Sequence, residues 1–555
     1  MFRISCLLLV FYVPSLVFGQ SLTPNLDALM RQASAVYRWK HYSECAKLYE
    51  RVLPMVKEED ARIHVELELA SAQAMAGDHA AAFKTLDLAI DDGYINGSVV
   101  ENNVETNSGL VSLHTDPRWQ PLLARIRKAT AAQNARWGDA AFATPYAANI
   151  SDAEKIAGLS ELWAQAKYGF ASFWHVPQLN WDQTYLDYIP KVLATHSTEQ
   201  YYRVLQRFYA LLKDGHTGVW LPEADNKVSG LFLQTQMVDG HVLITGFSGF
   251  SNSVFNRQGL RVGDEIVTIN SQPTTIWAEH HVAPYISAST LQDFNYQVYD
   301  YELLGAPVGT TFVLGIEAPS GKKSTHVFVV KDNNWPQTPM FELKFLPGNI
   351  VYIALNSFED DTDAKEWNKH WPEISKAKGL IIDVRKNGGG DSSVGDKIMA
   401  TLIDKPVPGA SEYSTRWIPT YRAWGEAETP LHFPMDVNML EPNTTHHFSG
   451  PVVLLTGPET FSAAEDFTLR FAQSHRSEMI GEPTGGSTGQ PLIFRLPGGG
   501  FARVCTKHEL LANGKQFIGV GIQPNILVPQ TRADIIAGRD AALETAVHWL
   551  QTRLH

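Results

Sequence analysis

Two stretches in the C-terminal half of this 555-residue chain constrain its fold more than any other feature. The first is an apolar run, Pro451 to Leu455, followed by a short Gly/Pro/Thr turn and the helical pattern SAAEDFTLRFAQ. The second is KGLIIDV, which ends in Asn387-Gly388-Gly389-Gly390. Short unbroken apolar runs bounded by turn signals read as buried strands. A strand leading through a tight turn into a helix predicts an α/β core. A hydrophobic content of 44% supplies enough apolar surface for real cores, and the length implies about three or four domains.

Ser462 opens the helical pattern and so stands at a helix N-terminus. Unpaired backbone N–H groups and the positive end of the helix dipole gather there, and they stabilise an alkoxide or a tetrahedral oxyanion. The amide of Ala463 is the first oxyanion donor in this reading. Ser462 also reads as a plain N-cap, with Glu465 completing the S-x-x-E box of a helix start. The glycine triplet after KGLIIDV brings bare backbone N–H groups close to a carbonyl, with Gly388 or Gly389 as the second donor. Taken alone, it fits an ordinary tight turn equally well.

Together with IGEPTGGSTGQ, these blocks stand in one order, and residues from about Gly348 to Pro529 resemble the catalytic core of the C-terminal-processing, or tail-specific, serine peptidases. The family's strand and loop, nucleophile segment and Gly-rich loop appear here as GLIIDVRKNGGG, SAAE and GEPTGG, and GVGIQPNILVP resembles its closing stretch. Where the bacterial tail-specific branch places a general-base lysine, this chain has Ser487, and a hydroxyl is neither a base near neutral pH nor a cation. The resemblance to the tricorn-like branch implies a triad instead: Ser462 as nucleophile, His216 in LLKDGHTGVW as base, and Glu509 in CTKHELLANG as the acidic member. Asp214 and His508 are the alternatives for the base and acid positions. Ser487 and Gly486 belong to a Gly-rich loop flanking substrate. GGSTG also matches a G-x-S-x-G elbow, but Gln490-Pro491 and the strand-like LIFRL follow where an elbow needs a helix.

The remaining sequence implies a multidomain α+β protein. Residues 1–19 read as a cleaved signal peptide, which predicts a secreted or periplasmic protein. Residues 20–137 read as helices, in which Cys45, Tyr49 and Val52 recur as Ala82, Leu86 and Ala89. That is the small–large–small spacing of a TPR-like pair at about 34 residues, or of a generic helical bundle. Residues 150–225 form the N-terminal helical part of the peptidase unit by resemblance. Residues 226–332 hold the short strands of a PDZ-like domain, with GLRVGDEIVTINSQP as its second half. Residues 340–555 form the α/β, ClpP/crotonase-like core, with residues 411–449 an insertion at the cleft.

Net charge is −13 and no basic stripe occurs, so nucleic acid is excluded as a partner class. No apolar stretch after the leader approaches the length of a transmembrane anchor. The expected partner is a peptide or unfolded protein substrate. The chemistry calls for no cofactor, and His446-His447 lacks the partners that a metal site needs. Cys45 and Cys505 remain after the leader, and nothing in the sequence pairs them. Two other readings fit the same motifs: a catalytically silent relative that binds peptides, and an esterase or amidase for small acyl compounds. Neither the oligomeric state nor the cleavage preference follows from the sequence.

Overall fold

Every residue of the strands Ile350–Leu355, Gly379–Asp383 and Val452–Thr456 is buried, as their unbroken apolar sequences require. A computed structural model describes residues 24–554, apart from 58, 92–103, 139, 226–227, 232, 248–257, 332–337, 416, 427–429 and 433–438. The leader-like residues 1–19 lie outside the described residues. The chain divides into two compact units, Met1–Ala141 and Phe142–His555.

The first unit is helical. Pro24–Arg38, Tyr42–Val52, Glu59–Met75 and His79–Asp91 pack each on the next, and Trp119–Trp137 closes the series. The six small–large–small positions from Cys45 to Ala89 are all buried. Cys45 and Cys505 are both free thiols.

The second unit is built on a six-stranded sheet in the order Phe341–Leu346, Ile350–Leu355, Gly379–Asp383, Val452–Thr456, Glu478–Gly481, Ile526–Leu527. The first pair is antiparallel and the rest are parallel, with Ile381 opposite Val453 and Leu455 opposite Ile480. Alternation sorts the strand side chains onto two faces. Leu380, Ile382, Val452 and Leu454 pack with Ile398, Phe467 and Phe471 from the helices Ser392–Met399 and Ala463–Ser474. Ile381, Val453 and Leu455 face the opposite way, onto Ala542, Ala546 and Leu550 of the C-terminal helix Ala541–Gln551. Both faces are therefore covered, and the strand ends converge on loops at one edge of the core.

Before this core, the helices Asp152–Gly169, Trp181–Leu193 and Thr198–Ala210 enclose an aromatic-rich cluster. Ser151 and Glu154 form a reciprocal capping box at the first of them. The short strand Gly218–Trp220 then pairs antiparallel with Phe501–Cys505, placing Gly218 opposite Arg503. A second six-stranded sheet, running from Leu233–Val238 to Lys323–Val329, has its own apolar core. None of the described helices is long and apolar enough to cross a membrane.

Candidate active site

Ser462 lies directly before the helix Ala463–Ser474, with φ 54° and ψ −125°. A non-glycine residue in that region stores roughly 1–3 kcal/mol of backbone strain, which persists only where the surroundings impose it. The hydroxyl makes no capping bond. Glu465 accepts from Thr484 Oγ1 at 2.5 Å, Gly486 N at 2.8 Å and Ser487 N at 2.8 Å, and the backbone N–H of Ser462 also acts on its carboxylate. Ser462 thus holds the N-cap position without a side-chain capping bond, and Glu465 ties the glycine-rich loop to that helix.

Ser462 Oγ lies 3.0 Å from Nε2 of His216. The imidazole is only 4% exposed and stacks on Phe461, with ring centroids 4.8 Å apart. Its position follows from strand pairing, because Gly218–Trp220 docks on Phe501–Cys505 and carries the preceding turn against the nucleophile. Asp214 Oδ1 fixes that turn by accepting from the backbone N–H of His216 at 2.9 Å and from Thr217 Oγ1 at 3.1 Å. Burial, aided by the positive charges of Arg503 and Lys507, pushes the His216 pKa down to about 3. The ring is therefore neutral at physiological pH, as a proton acceptor must be.

The expected acidic partner does not reach this histidine. Glu509 instead accepts from Thr488 Oγ1 at 2.8 Å and pairs with Lys507 Nζ at 2.5 Å. Burial opposes its ionisation, but Lys507 and these hydrogen bonds hold its pKa below the usual value. Its strand, Lys507–Leu510, pairs with Ser411–Thr415, so the carboxylate points into a buried charged cluster. The group on His216 Nδ1 is Ser487, whose Oγ lies 2.9 Å away. Ser487 thus contacts the base directly and does not merely flank the cleft. A productive tautomer has Nδ1–H donating to Ser487 Oγ and Nε2 accepting from Ser462, and a neutral hydroxyl orients the ring without adding charge. Of the alternatives, Asp214 holds the backbone of His216, and His508 bonds Ser172 and Gln516.

The two glycines proposed as donors are not equivalent. Gly389 N–H donates to Asn387 Oδ1 at 2.9 Å, whereas among the described residues the amides of Gly388 and Ala463 have no partner. Gly388 lines the cleft with Ser462. Fully buried Asn387 had no signal of its own in the sequence. Its Nδ2 donates to Leu355 O at 3.0 Å and its carbonyl accepts from Phe461 N at 3.0 Å, clamping the glycine loop to the nucleophile turn.

The cleft encloses about 490 Å³ and is also lined by Asp293, Tyr296, Glu459 and Arg503. None of the described residues from 411 to 449 lines it. His446 stacks on Trp371, and His447 pairs with Asp404 at 3.0 Å.

Ser487→Ala removes one neutral hydrogen bond to Nδ1, so the rate of Ser462 labelling by a fluorophosphonate should fall about tenfold. The pKa of His216 is depressed below its ordinary 6.5, so the labelling rate should hold its level well below pH 6.5 and fall only toward the acid end of the folded range. The stability contribution of His216 has the matching sign. Between pH 6.5 and about 3 the unfolded chain binds a proton that the folded chain refuses, so this contribution is present above pH 6.5 and declines as pH falls through that window. Labelling and thermal-melt profiles against pH measure the two effects.

Residues 349–528 match the family described as Peptidase family S41. The chain is 23% identical over 327 residues to the carboxy-terminal processing protease CtpB of Bacillus subtilis (strain 168), covering 58% of this chain and 60% of that protein. It is 22% identical over 243 residues to a carboxy-terminal-processing protease of Bartonella bacilliformis, covering 43% and 51% respectively. It thus spans about half to three-fifths of the length of these relatives. Among solved structures, mature CPAF complexed with lactacystin superposes with a TM-score of 0.57 at 16% identity, over 73% of this chain and 98% of that one. That likeness is one of fold.

Proposed function

We propose that this chain, whose residues 349–528 match Peptidase family S41, is a serine endopeptidase acting through an acyl-enzyme on Ser462. The observation that carries this reading is the 3.0 Å approach of Ser462 Oγ to Nε2 of a buried, neutral His216. Ser462 Oγ attacks the scissile carbonyl carbon while Nε2 takes its proton, and the resulting oxyanion is received by the N–H groups of Gly388 and Ala463. The proton then passes from Nε2 to the leaving amine as the C–N bond breaks. Water, deprotonated by the same nitrogen, hydrolyses the ester. Ser487 holds Nδ1 throughout, and the Asn387 and Glu465 contacts keep the two glycine loops in register with the nucleophile.

The wider assignments belong to the same proposal. The substrate is a peptide or unfolded protein, the leader directs the enzyme out of the cytoplasm, the sheet at 233–329 acts as a PDZ-like docking module, and the N-terminal helices are TPR-like. The test is fluorophosphonate labelling with peptide mapping, followed by digestion of unfolded proteins. Labelling at Ser462 with peptide cleavage supports the reading. Failure of folded wild type to label would instead support a silent peptide-binding relative. Labelling with turnover of small esters alone would identify an esterase.

A further inference from the structure

Beside the nucleophile, the cleft carries a carboxyl group that the mechanism above does not use. Asp293 is 1% exposed and lines the cleft with Ser462 and His216. Its Oδ1 accepts a long 3.4 Å bond from Gln297, the backbone N–H of Ser289 also acts on the carboxyl, and Oδ2 is buried without a hydrogen-bond partner. Oδ2 lies 3.1 Å from where a Cβ on Gly215 would stand, directly against the base-bearing turn. A buried acceptor with no donor is costly and rare, and in a cleft it points to a group that arrives with the ligand.

Its surroundings define the chemistry of that group. Glu459, half-buried and associated with the Tyr296 hydroxyl, lines the same cleft. Among the described residues neither Asp293 nor Glu459 forms an ion pair; the carboxylates Glu465 and Asp214 act on Asp293, and Lys386 acts on Glu459. Burial first, then these neighbours, push the Asp293 pKa up to about 7, so the carboxyl ionises readily once a positive charge arrives. Arg503, which also lines the cleft, donates to Gly215 O at 3.1 Å and lies over Trp220, while its Nε is buried without a partner.

We infer that this cleft is a subsite for a cationic substrate side chain, lysine or arginine, next to the scissile bond, with buried Asp293 and half-buried Glu459 as its anionic partners. This inference rests on the hydrolase reading above and adds specificity to it. A guanidinium or ammonium donates to the unpartnered Oδ2 and is balanced by the two carboxylates, and any proton on Asp293 leaves to solvent.

The test uses the full chain and protection of Ser462 from a fluorophosphonate by benzamidine, with benzamide as the uncharged analogue of the same shape. At low millimolar concentration, benzamidine should slow labelling at least tenfold more than benzamide, and Asp293→Asn should erase the difference. Should D293N fail to fold by circular dichroism, Glu459→Gln provides the same comparison with a several-fold loss. Digestion of a peptide library should place lysine or arginine within two residues of the cleaved bonds. Equal protection by both compounds in wild type, or undiminished selectivity in folded D293N, would overturn the inference while leaving the hydrolase intact. No labelling of wild type under any condition would instead remove the hydrolase reading on which it rests.

Discussion

Ser462→Ala should abolish fluorophosphonate labelling and lower kcat/KM for peptide hydrolysis by at least about 10⁴-fold. The attacking oxygen is gone, and among the described cleft-lining residues no other nucleophile stands at 3.0 Å from Nε2 of His216. His216→Ala should cost nearly as much, because a serine hydroxyl without a base remains protonated near neutral pH. The double variant should be no worse than either single one, since the two groups act in the same proton transfer. Ser462 carries a positive φ but no capping bond, so its loss should leave the circular dichroism spectrum and Tm close to wild type. Additive losses in the double variant would mean that the pair does not work as a unit, and labelling that persists in S462A would assign the nucleophile elsewhere.

Gly389→Ala should be strongly damaging although it removes no functional group. Gly389 has φ +100°, a region that L side chains rarely adopt. A Cβ there would stand 2.6 Å from Ser462 Cβ, 2.8 Å from Phe461 O and 3.0 Å from Ala463 N. Two of these three neighbours are backbone atoms of the nucleophile turn, so the loop rather than a flexible side-chain end must move. Moving it displaces the Gly388 amide and the nucleophile together, and ångström-scale misplacement of either costs about 10²- to 10³-fold in rate. The expected result is a fall of that size in both labelling and kcat/KM, with a lowered Tm. Gly388→Ala is the control: a Cβ at Gly388 meets nothing within 4 Å, so its effect should be much smaller. Equal effects at the two glycines would refute the packing argument.

The chemistry-bearing positions were legible in the sequence to different degrees. KGLIIDV and PVVLL read as buried strands because central strands covered on both faces need unbroken apolar sequence, and they pair as neighbours, Leu380 with Val452. Ser462 was legible because a strand, a turn and a helix start are all local patterns. The partner of His216 was not. Glu509 has the right chemical type, but its strand pairs with Ser411–Thr415 and turns the carboxylate toward Lys507. Ser487 reads as part of a Gly-rich loop flanking substrate, yet its hydroxyl lies against the imidazole. The one signal for its role was that its position matches the lysine of the tail-specific branch, which already marked that point of the loop as close to the reacting groups. Gly388 and Gly389 are indistinguishable in sequence, and only the Asn387 side chain separates them, by engaging the second amide.

The sequence by itself determined the strands, the helix that begins after Ser462 and the glycine loop, since hydrophobic period, helix-start signals and glycine runs act over a few neighbouring residues. Tertiary structure alone decided which side chains meet. His216 and Ser462 are 246 residues apart and are joined because Gly218–Trp220 adds to Phe501–Cys505. Hydrogen-bond partnership, burial and the direction of a pKa shift depend on groups brought together by that pairing, and no local pattern encodes a distance across the fold.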